Sequence, residues 1–327
     1  MEDRNKKTAL GDLILVEPPS HDAAENLAAE EVLAASRTTG NYLMLWTNDP
    51  VLVIGKFQNP YEEIPLSACR RAGIPVRRRM SGGGTVYHDR GNLNFTVLTD
   101  RGEAFPDYER FLMPVIAMLK GFGVNAEISD TSSMTVGEGK FSGSAQLNVK
   151  NRVLHHGTLL FDADLDAVRR LTSEHLASAA SAASAASAEQ TEERIVSRAV
   201  KSRPAPVANL RPLLAEPMGR EEFFTAVERA FAPIGRTAFT EEEKTEIRRL
   251  AEEKYRSFAW NYGKTPAFSV SRGGITLHAK NGIVVSAEVA AGSSRLAEPD
   301  KLKLIGLPLD EEAFDEVSPG LFRALFG

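Results

Sequence analysis

Several short stretches in the first half of the chain have the residue pattern of β-strands, and one of them, residues 93–97, alternates strictly between apolar and polar positions, with Leu93, Phe95 and Val97 on one face. Two of these stretches flank Lys-Asn-Arg at residues 150–152, which fits the turn of a hairpin. Two others flank Asn-Asp-Pro at residues 48–50, residue types that favour a turn. Strands are therefore predicted at residues 12–16, 42–46, 51–55, 74–79, 93–97, 140–149 and 153–161.

Helices are indicated where apolar residues recur every three or four positions. One is predicted after Asp22, which has capping-box spacing with Glu25. A second begins near Pro106 and contains Pro114, which lacks an amide hydrogen and is expected to kink or break the helix. The helical pattern returns at residues 220–233 and 240–258.

The organisation of the chain changes after residue 240. The helix that begins there, with Thr240 and Glu243 at capping-box spacing, is followed by short strands and the hairpin sequence Asn281-Gly282. One or two helices are predicted from about residue 295 onward. We therefore predict one domain of residues 1–240 and a small second domain of residues 241–327.

Residues 177–188 consist only of alanine and serine. Two interpretations stay open for this segment. Alanine has the highest helix propensity, which favours an extension of a helix. The segment also has nothing large to bury, which favours a mobile surface spacer.

Composition narrows the class of protein. The chain has 327 residues, a formal net charge of -5 and a single cysteine, Cys69, so an intrachain disulfide is excluded. A mildly acidic balance disfavours generic nucleic-acid binding, which needs clustered lysine and arginine. The start of the chain lacks the apolar core of a secretory signal, and no apolar run approaches the ~20 residues of a membrane helix. A soluble, cytoplasmic protein is expected.

The segment at residues 77–95, RRRMSGGGTVYHDRGNLNF, is the most informative one. Its glycines allow unusual backbone conformations and can present bare N–H groups to an anion. Arg77 and Arg79 are expected on one strand face, with Arg78 on the other, and arginine binds phosphate oxygens well. The segment is neither a Walker loop nor a dinucleotide fingerprint, so a plain glycine-rich turn fits the spacing equally well.

Two further segments carry candidate chemistry. Lys140 lies among small residues in GEGKFSGSAQ, where its ammonium can approach a carboxylate or phosphate, although a solvated hairpin lysine also fits. His155 and His156 alternate across a predicted strand, so at most one of them faces a given cavity. No third ligand stands at a useful spacing, so we expect hydrogen-bonded histidines rather than a zinc site.

Together, and in this order, these segments resemble the lipoate–protein ligase family. The glycine segment matches that family's Arg-Arg-x-x-Ser-Gly-Gly-Gly block with its following His-Asp and Gly-Asn. GKFSGSAQ matches the block of the active-site lysine, and HHGTLLFDADL matches a third block. Three further stretches resemble family blocks, so the similarity spans nearly the whole chain: WTNDPVLVIGKFQNPYEE (46–63), KSRPAPVANL (201–210) and WNYGKTPAFS (260–269).

The resemblance implies an α+β fold, with the catalytic core of biotin– and lipoate–protein ligases in residues 1–240 and a small α/β accessory domain in residues 241–327. It implies that lipoate attacks the α-phosphate of ATP to give lipoyl-AMP, and that a carrier lysine then takes the lipoyl group. By resemblance Lys140 is the catalytic cation and contacts both ATP and lipoate. Arg79 and the loop Gly84-Thr85-Val86-Tyr87 would hold the nucleotide, and Mg²⁺ would share the phosphate charge.

The partners that the resemblance implies are the lipoyl carrier domains of 2-oxoacid dehydrogenase E2 subunits and the glycine cleavage H protein. No nucleic acid and no membrane is expected as a partner. The preferred carrier, the choice between lipoate and octanoate, and the oligomeric state are left open by the sequence.

The chain departs from the family pattern before the active-site lysine. The family carries Arg-Asn-Asp near the nucleotide and the metal, whereas Thr131, Ser132 and Ser133 stand here, with Asp130 just before them. The metal ligands are therefore unknown, and one hypothesis is that Asp130 replaces the missing acid.

Three alternatives remain at the level of sequence. An ATP-independent octanoyl or lipoyl transferase of the same superfamily is the first, although Cys69 lies in a predicted helix, badly placed for a thioester. The second is a non-catalytic homologue that binds lipoyl carriers. The third is a nucleic-acid-binding module based on Arg77 to Arg79, which the acidic balance opposes.

Overall fold

The computed structural model describes residues 10–102, 105–129, 132–173, 194–203, 205–290, 296 and 300–326. The alanine and serine segment at 177–188 and the pair Asp130-Thr131 lie outside the described residues. Within the described part, mixed β-sheets and helices form an α+β fold, as predicted. No helix in these ranges combines the length and apolar character that a membrane crossing requires.

Short strands dominate the described chain. In chain order they are β1 (Leu13–Val16), β2 (Asn41–Trp46), β3 (Val51–Ile54), β4 (Val76–Arg78), β5 (Val86–His88), β6 (Asn92–Asp100), β7 (Glu127–Ser129), β8 (Ser133–Val136), β9 (Gly139–Val149), β10 (Arg152–Leu160), β11 (Arg194–Ser197), β12 (Gly235–Thr237), β13 (Phe268–Arg272), β14 (Ile275–Lys280) and β15 (Ile283–Val289). The seven predicted strands are confirmed, with shifted ends.

The helices are mostly short. They are α1 (Ala23–Ser36), α2 (Pro60–Glu63), α3 (Leu66–Arg71), α4 (Glu109–Gly121), α5 (Leu165–Val168), α6 (Arg220–Phe231), α7 (Glu241–Leu250), α8 (Phe258–Asn261), α9 (Lys301–Leu304), α10 (Glu311–Asp315) and α11 (Leu321–Phe326). Single π-helical turns follow α5 and α7 at Arg169–Ser173 and Ala251–Tyr255, and a 3₁₀ turn spans Arg211–Leu213. The prediction of one or two helices near the carboxyl end was wrong, since α9, α10 and α11 are separate.

Three sheets organise the strands of the described residues. The largest has the order β12-β1-β2-β6-β10-β9-β8-β7, with β1 parallel to both neighbours and the β2–β6, β6–β10, β10–β9, β9–β8 and β8–β7 pairs antiparallel. A three-stranded sheet has the order β4-β3-β5, and a four-stranded sheet the order β11-β13-β14-β15. The glycine loop connects β4 to β5 and therefore lies at the end of the three-stranded sheet.

Alternation along β2 divides the core into two layers. Leu43 packs with α4 and α6 on one face of the large sheet, through Phe111 and Phe223 among others. Met44 packs on the other face with α1 and α7. Successive residues on a strand point to opposite faces of the sheet, so the adjacent apolar residues Leu43 and Met44 are both buried because both faces of the sheet are covered.

Local signals in the sequence account for several boundaries. Asp22 accepts hydrogen bonds from the backbone amides of the first turn of α1, and Thr240 and Glu243 form both bonds of a capping box at α7. Asn281 and Gly282 have φ values of 54° and 71°, the left-handed turn predicted between β14 and β15. These positions were confirmed because each signal acts within a few residues.

Pro114 was predicted to kink or break its helix, and the helix is not broken there. Helix α4 continues through it from Glu109 to Gly121. Phe111, Leu112, Val115 and Leu119 are buried on the apolar face, before and after the proline. Their burial offsets the hydrogen bond that proline cannot donate.

The predicted boundary at residue 240 falls just before α7. The helix packs on α1 through a shared core that includes Ile247 and Leu27. Strand β11, which precedes the boundary, pairs with β13 in the four-stranded sheet. Elements on the two sides of residue 240 thus share a sheet and a core, and the division into two domains stays a prediction.

Candidate functional site

A cavity of about 650 Å³ lies against the glycine loop (residues 82–85), strands β9 and β10 and a covering segment (residues 200–203 and 205–208). A second cavity of about 120 Å³ shares part of its wall with the first. The predicted residues Arg79, Gly84, Thr85, Val86 and Lys140 line the larger cavity, and Tyr87 lines the smaller one. The structure therefore brings all of them together, while their roles stay predictions.

Arg79 stabilises the conformation of the glycine loop through hydrogen bonds. Its guanidinium donates to the carbonyl oxygens of Gly82 at 2.6 Å, Gly84 at 2.8 Å and Val53 at 3.2 Å, and to Ser81 Oγ at 3.1 Å. Burial lowers the pKa of this guanidinium to about 10, which leaves it charged at neutral pH. Most of its donors are therefore engaged by the loop, although the side chain also lines the cavity.

Glycine is required at two positions where the loop meets β3. Gly83 has a φ of 94°, a left-handed conformation that L side chains rarely adopt. A Cβ atom on Gly55 would lie 2.1 Å from the carbonyl oxygen of Gly83, so only glycine fits there. The loop consequently packs directly on the end of β3.

Arg78 has a structural environment that sequence reasoning missed. Its guanidinium is fully buried and donates to the carbonyl oxygens of Gly55, Lys56 and Gln58 on one side and to that of Asn261 on the other. Burial lowers its pKa to about 10. One cation thus ties the chain after β3 to the end of α8, which lies far away in sequence.

Lys140 is held in place by the covering segment. Its backbone N–H donates to Pro206 O at 2.8 Å, and its carbonyl oxygen accepts from Ala208 N at 3.0 Å. Its side chain passes over Gly143, where an added Cβ atom would lie 3.4 Å from Nζ. The ammonium is therefore carried on a fixed strand and reaches the part of the wall that both cavities share.

Part of the wall of the larger cavity is apolar. Leu27, Trp46 and Val53 line it, and the indole of Trp46 meets the His88 ring edge-on at 6.0 Å between centroids. Burial lowers the pKa of His88 to about 3, so the imidazole is neutral at physiological pH. Its Nε2 has no hydrogen-bond partner among the described residues, whereas Nδ1 contacts Asn48 Nδ2 at 3.0 Å. This part of the wall suits an uncharged, apolar group.

A buried chain of hydrogen bonds joins this apolar wall to the glycine loop. Trp46 Nε1 donates to Thr96 Oγ1 at 2.9 Å, which donates to Glu30 Oε1 at 2.7 Å. The same carboxylate oxygen lies 2.8 Å from His156 Nδ1, and His156 Nε2 lies 2.6 Å from Ser81 Oγ. Both ring nitrogens of His156 are therefore engaged, which fixes the orientation of a ring that lines the cavity.

The covering segment is anchored beside the glycine loop by Ser202. Its Oγ accepts from Thr85 N and from Gln58 Nε2, both at 2.9 Å. It also donates to the buried carboxylate of Glu63, whose pKa is raised by burial and lowered in part by these bonds. The neighbouring Arg203 is exposed and lines both cavities.

The two adjacent histidines differ as their alternation predicted. His156 lines the cavity, whereas His155 is buried and stacks on the ring of Phe111 at 4.4 Å. Glu30 was missed, although a signal existed: Asn26 and Glu30 are four residues apart on a helix rich in alanine, and both are buried. Polar residues at helical spacing on an apolar face indicate a buried network.

Comparison with known proteins gives consistent matches. Residues 22–232 match the model of the lipoyl protein ligase A/B catalytic domain. The chain is 36% identical to lipoate–protein ligase 1 of Staphylococcus aureus over 256 residues, which cover 77% of this chain and 73% of that protein. A bipartite lipoate protein ligase of Thermoplasma acidophilum, studied with its E2 lipoyl domain, is 26% identical with a TM-score of 0.63, over 78% of this chain and 96% of that one. The structure of a lipoate–protein ligase A bound with ATP is 26% identical to this chain with a TM-score of 0.61, and the match covers 78% of this chain and 99% of that one.

Proposed function

The chain belongs to the lipoyl protein ligase A/B family, and we propose that its larger cavity is where lipoate reacts with ATP beside Lys140. It is an ATP-dependent lipoate–protein ligase. The observation that carries the assignment of the site is the position of Lys140, whose side chain passes over Gly143 in the wall of a cavity that apolar residues and the glycine loop also line.

The two substrates fit two parts of the site. The lipoyl tail is apolar and occupies the part of the cavity lined by Leu27, Trp46 and Val53, where a neutral His88 adds no charge. The smaller cavity has apolar walls at Tyr87 and Leu160 and receives the adenine ring. The carboxylate of lipoate and the phosphates of ATP then meet where the two cavities share their wall.

The first half-reaction joins two anions, and the charge of Lys140 lowers its barrier. A carboxylate oxygen of lipoate attacks the α-phosphorus, the bond to the β-phosphate oxygen breaks, and diphosphate leaves. An ammonium fixed in a site of low water content stabilises the charge that gathers on the phosphoryl oxygens. Because β9 and the covering segment hold the Lys140 backbone, little reorganisation is needed.

The second half-reaction moves the lipoyl group to a protein. The amine of an acceptor lysine attacks the carbonyl carbon of lipoyl-AMP, the carbon–oxygen bond to phosphate breaks, and AMP leaves with one proton lost from the amine. Lys140 here holds the phosphate of AMP as it becomes the leaving group. We assign the carriers to lipoyl domains of 2-oxoacid dehydrogenase E2 subunits and to the glycine cleavage H protein, in a cytoplasmic setting that supplies ATP.

Mg²⁺ fits the site as a companion of the triphosphate. Among the described residues no group of three His, Cys, Asp or Glu side chains could hold a metal alone, and Glu138 is the carboxylate that lines the cavity. Magnesium keeps several waters and usually binds through substrate phosphates with one or two carboxylates. Glu138 and the hydroxyls of Ser132 and Ser133 would complete its surroundings, and the ion would neutralise phosphate charge.

A cysteine-based transfer finds no support at Cys69. Its thiol is buried in α3 and burial raises its pKa to about 11, so the nucleophilic thiolate is scarce at neutral pH. The discriminating measurement is lipoate-dependent exchange of labelled diphosphate into ATP by the purified protein. Exchange that requires lipoate is expected, and its absence, together with carrier lipoylation from a thioester donor, would replace the ligase mechanism with a transferase.

A further inference from the structure

Only two charged side chains line both cavities in the described part of the chain, Lys140 and Arg203. Lys140 belongs to β9, and Arg203 to the covering segment that crosses the site. Under the proposed function the phosphates of ATP lie between the adenine ring and the lipoate carboxylate, at this shared wall. These two cations are therefore the neighbours of the phosphates.

The geometry of the displacement at the α-phosphorus assigns a different role to each of the two cations. In an in-line displacement the attacking carboxylate and the leaving diphosphate lie on opposite sides of the α-phosphorus. The lipoyl tail occupies the apolar part of the cavity near Trp46, so the diphosphate points away from it and must leave toward solvent. Arg203 is exposed, whereas Lys140 is half-buried, which places Arg203 at the solvent end of the phosphates.

The remaining basic side chains of the cavity wall are already engaged. The Arg79 guanidinium donates to loop carbonyl oxygens and to Ser81. Lys201 Nζ lies 2.8 Å from Glu62 Oε1, and no ion pair engages Arg203 among the described residues. We infer that Arg203 binds the β- and γ-phosphates of ATP and stabilises diphosphate as it leaves, an inference that rests on the proposed function.

The position of Arg203 is fixed by anchors on both sides. Ser202 is bonded to Thr85 and to the Glu63 carboxylate, and Pro206 accepts from the backbone of Lys140. The Arg203 side chain thus extends from a segment that is hydrogen-bonded to the glycine loop and to strand β9, which carries Lys140. Its planar fork can bind two phosphate oxygens at once, and the charge it faces rises when the bond to the α-phosphorus breaks.

The chemistry of the intermediate provides the test. Lipoyl-AMP carries no β- or γ-phosphate, so a residue that acts on those groups matters for its formation and not for its use. In Arg203→Ala we expect the KM for ATP to rise and lipoate-dependent diphosphate exchange to fall by about a hundredfold, the lower end of the range for loss of one charge-stabilising donor. Transfer of the lipoyl group from supplied lipoyl-AMP to a carrier domain should stay within about twofold.

Two further variants and one binding measurement complete the design. Arg203→Lys keeps the charge but loses the fork, so exchange should recover only in part. Arg198 lies five residues before Arg203, is exposed and does not line the cavity. In Arg198→Ala both half-reactions should therefore match wild type. Calorimetric titration with inorganic diphosphate should show weaker binding to Arg203→Ala, while AMP should bind as in wild type.

The inference is overturned if Arg203→Ala, folded by circular dichroism, loses both half-reactions to the same extent or keeps normal exchange. Equal loss would mean that Arg203 supports the site as a whole. Failure of the proposed function looks different, because wild type itself would then show no lipoate-dependent exchange.

Discussion

His156 Nδ1 lies 2.8 Å from Glu30 Oε1, in a pair that spans 126 positions of the chain and lies beneath the glycine loop. Glu30 comes from the middle of α1 and His156 from β10, and the carboxylate also accepts from Thr96. The pair connects the apolar wall at Trp46 with Ser81, which directly precedes the glycine loop. A substitution at Glu30 should therefore alter the hydrogen bonds of both Trp46 and Ser81, through Thr96 and His156.

Glu30→Ala should destabilise the protein. The substitution leaves the buried hydroxyl of Thr96 and the ring of His156 without their acceptor, and each orphaned polar group costs about 1–3 kcal/mol. Glu30→Gln is the matched control, since an amide oxygen can still accept from Thr96 and the volume is kept. Urea unfolding of the two variants should show the larger loss for Glu30→Ala, and equal midpoints would mean that the network contributes little.

Arg78→Met should cost more than Arg77→Met. Arg78 is buried and donates to carbonyl oxygens at Gly55, Gln58 and Asn261, whose loss leaves several acceptors unpaired. Each buried acceptor left without a donor costs about 1–3 kcal/mol. Arg77 is only half-buried on the same strand, so its variant controls for the loss of an arginine there. The check is the free energy of unfolding in urea, and similar values would show that the Arg78 bonds are not needed.

His88 should make the stability of the fold depend on pH. Burial lowers its pKa in the folded chain to about 3 from an ordinary value of 6.5, so its contribution is present above pH 6.5 and is lost as pH falls toward 3. Between those values only the unfolded chain takes up the proton. One pKa unit corresponds to about 1.4 kcal/mol, so His88→Gln should reduce the stability lost between pH 7 and pH 5 by about 1–2 kcal/mol.

His155, whose pKa burial lowers in the same direction, keeps part of the pH dependence in that variant. His278 lies exposed on β14, and His278→Gln serves as the control for exchanging a histidine for glutamine. The measurement is the free energy of unfolding in urea at pH values from 7 to 5. A His88→Gln profile parallel to wild type would contradict the prediction.

Local features of this fold were predictable, because their causes lie within a few residues. The capping box of Thr240 and Glu243 and the turn at Asn281-Gly282 are examples. The gathering of Arg79 and Lys140 in one cavity was implied by resemblance rather than by spacing. Neither the pattern of strand residues nor the composition predicts that those two segments lie close together.

Contacts between distant segments were not predictable. Arg78 and Asn261 are 183 positions apart, and nothing in the strand pattern distinguishes a buried Arg78 from a phosphate-binding arginine. Arg203 was likewise missed, because its position in the cavity wall depends on a segment that crosses the cavity and bonds to the backbone of Lys140. Long-range pairing of this kind is set by the tertiary fold, which a single sequence does not display.

Lys140→Ala should fold normally and lose both half-reactions. The ammonium lies over Gly143 at the wall shared by the two cavities, where it can contact the lipoate carboxylate and the α-phosphate together. Loss of one such preorganised group typically lowers the rate by about a hundredfold to a thousandfold. Lys140→Arg should recover little, because a guanidinium is broader and differently forked. Since lipoyl-AMP keeps the phosphate that Lys140 holds, transfer from supplied lipoyl-AMP should slow as well, in contrast to Arg203→Ala. Near-normal rates of exchange and transfer in Lys140→Ala would remove this residue from the mechanism.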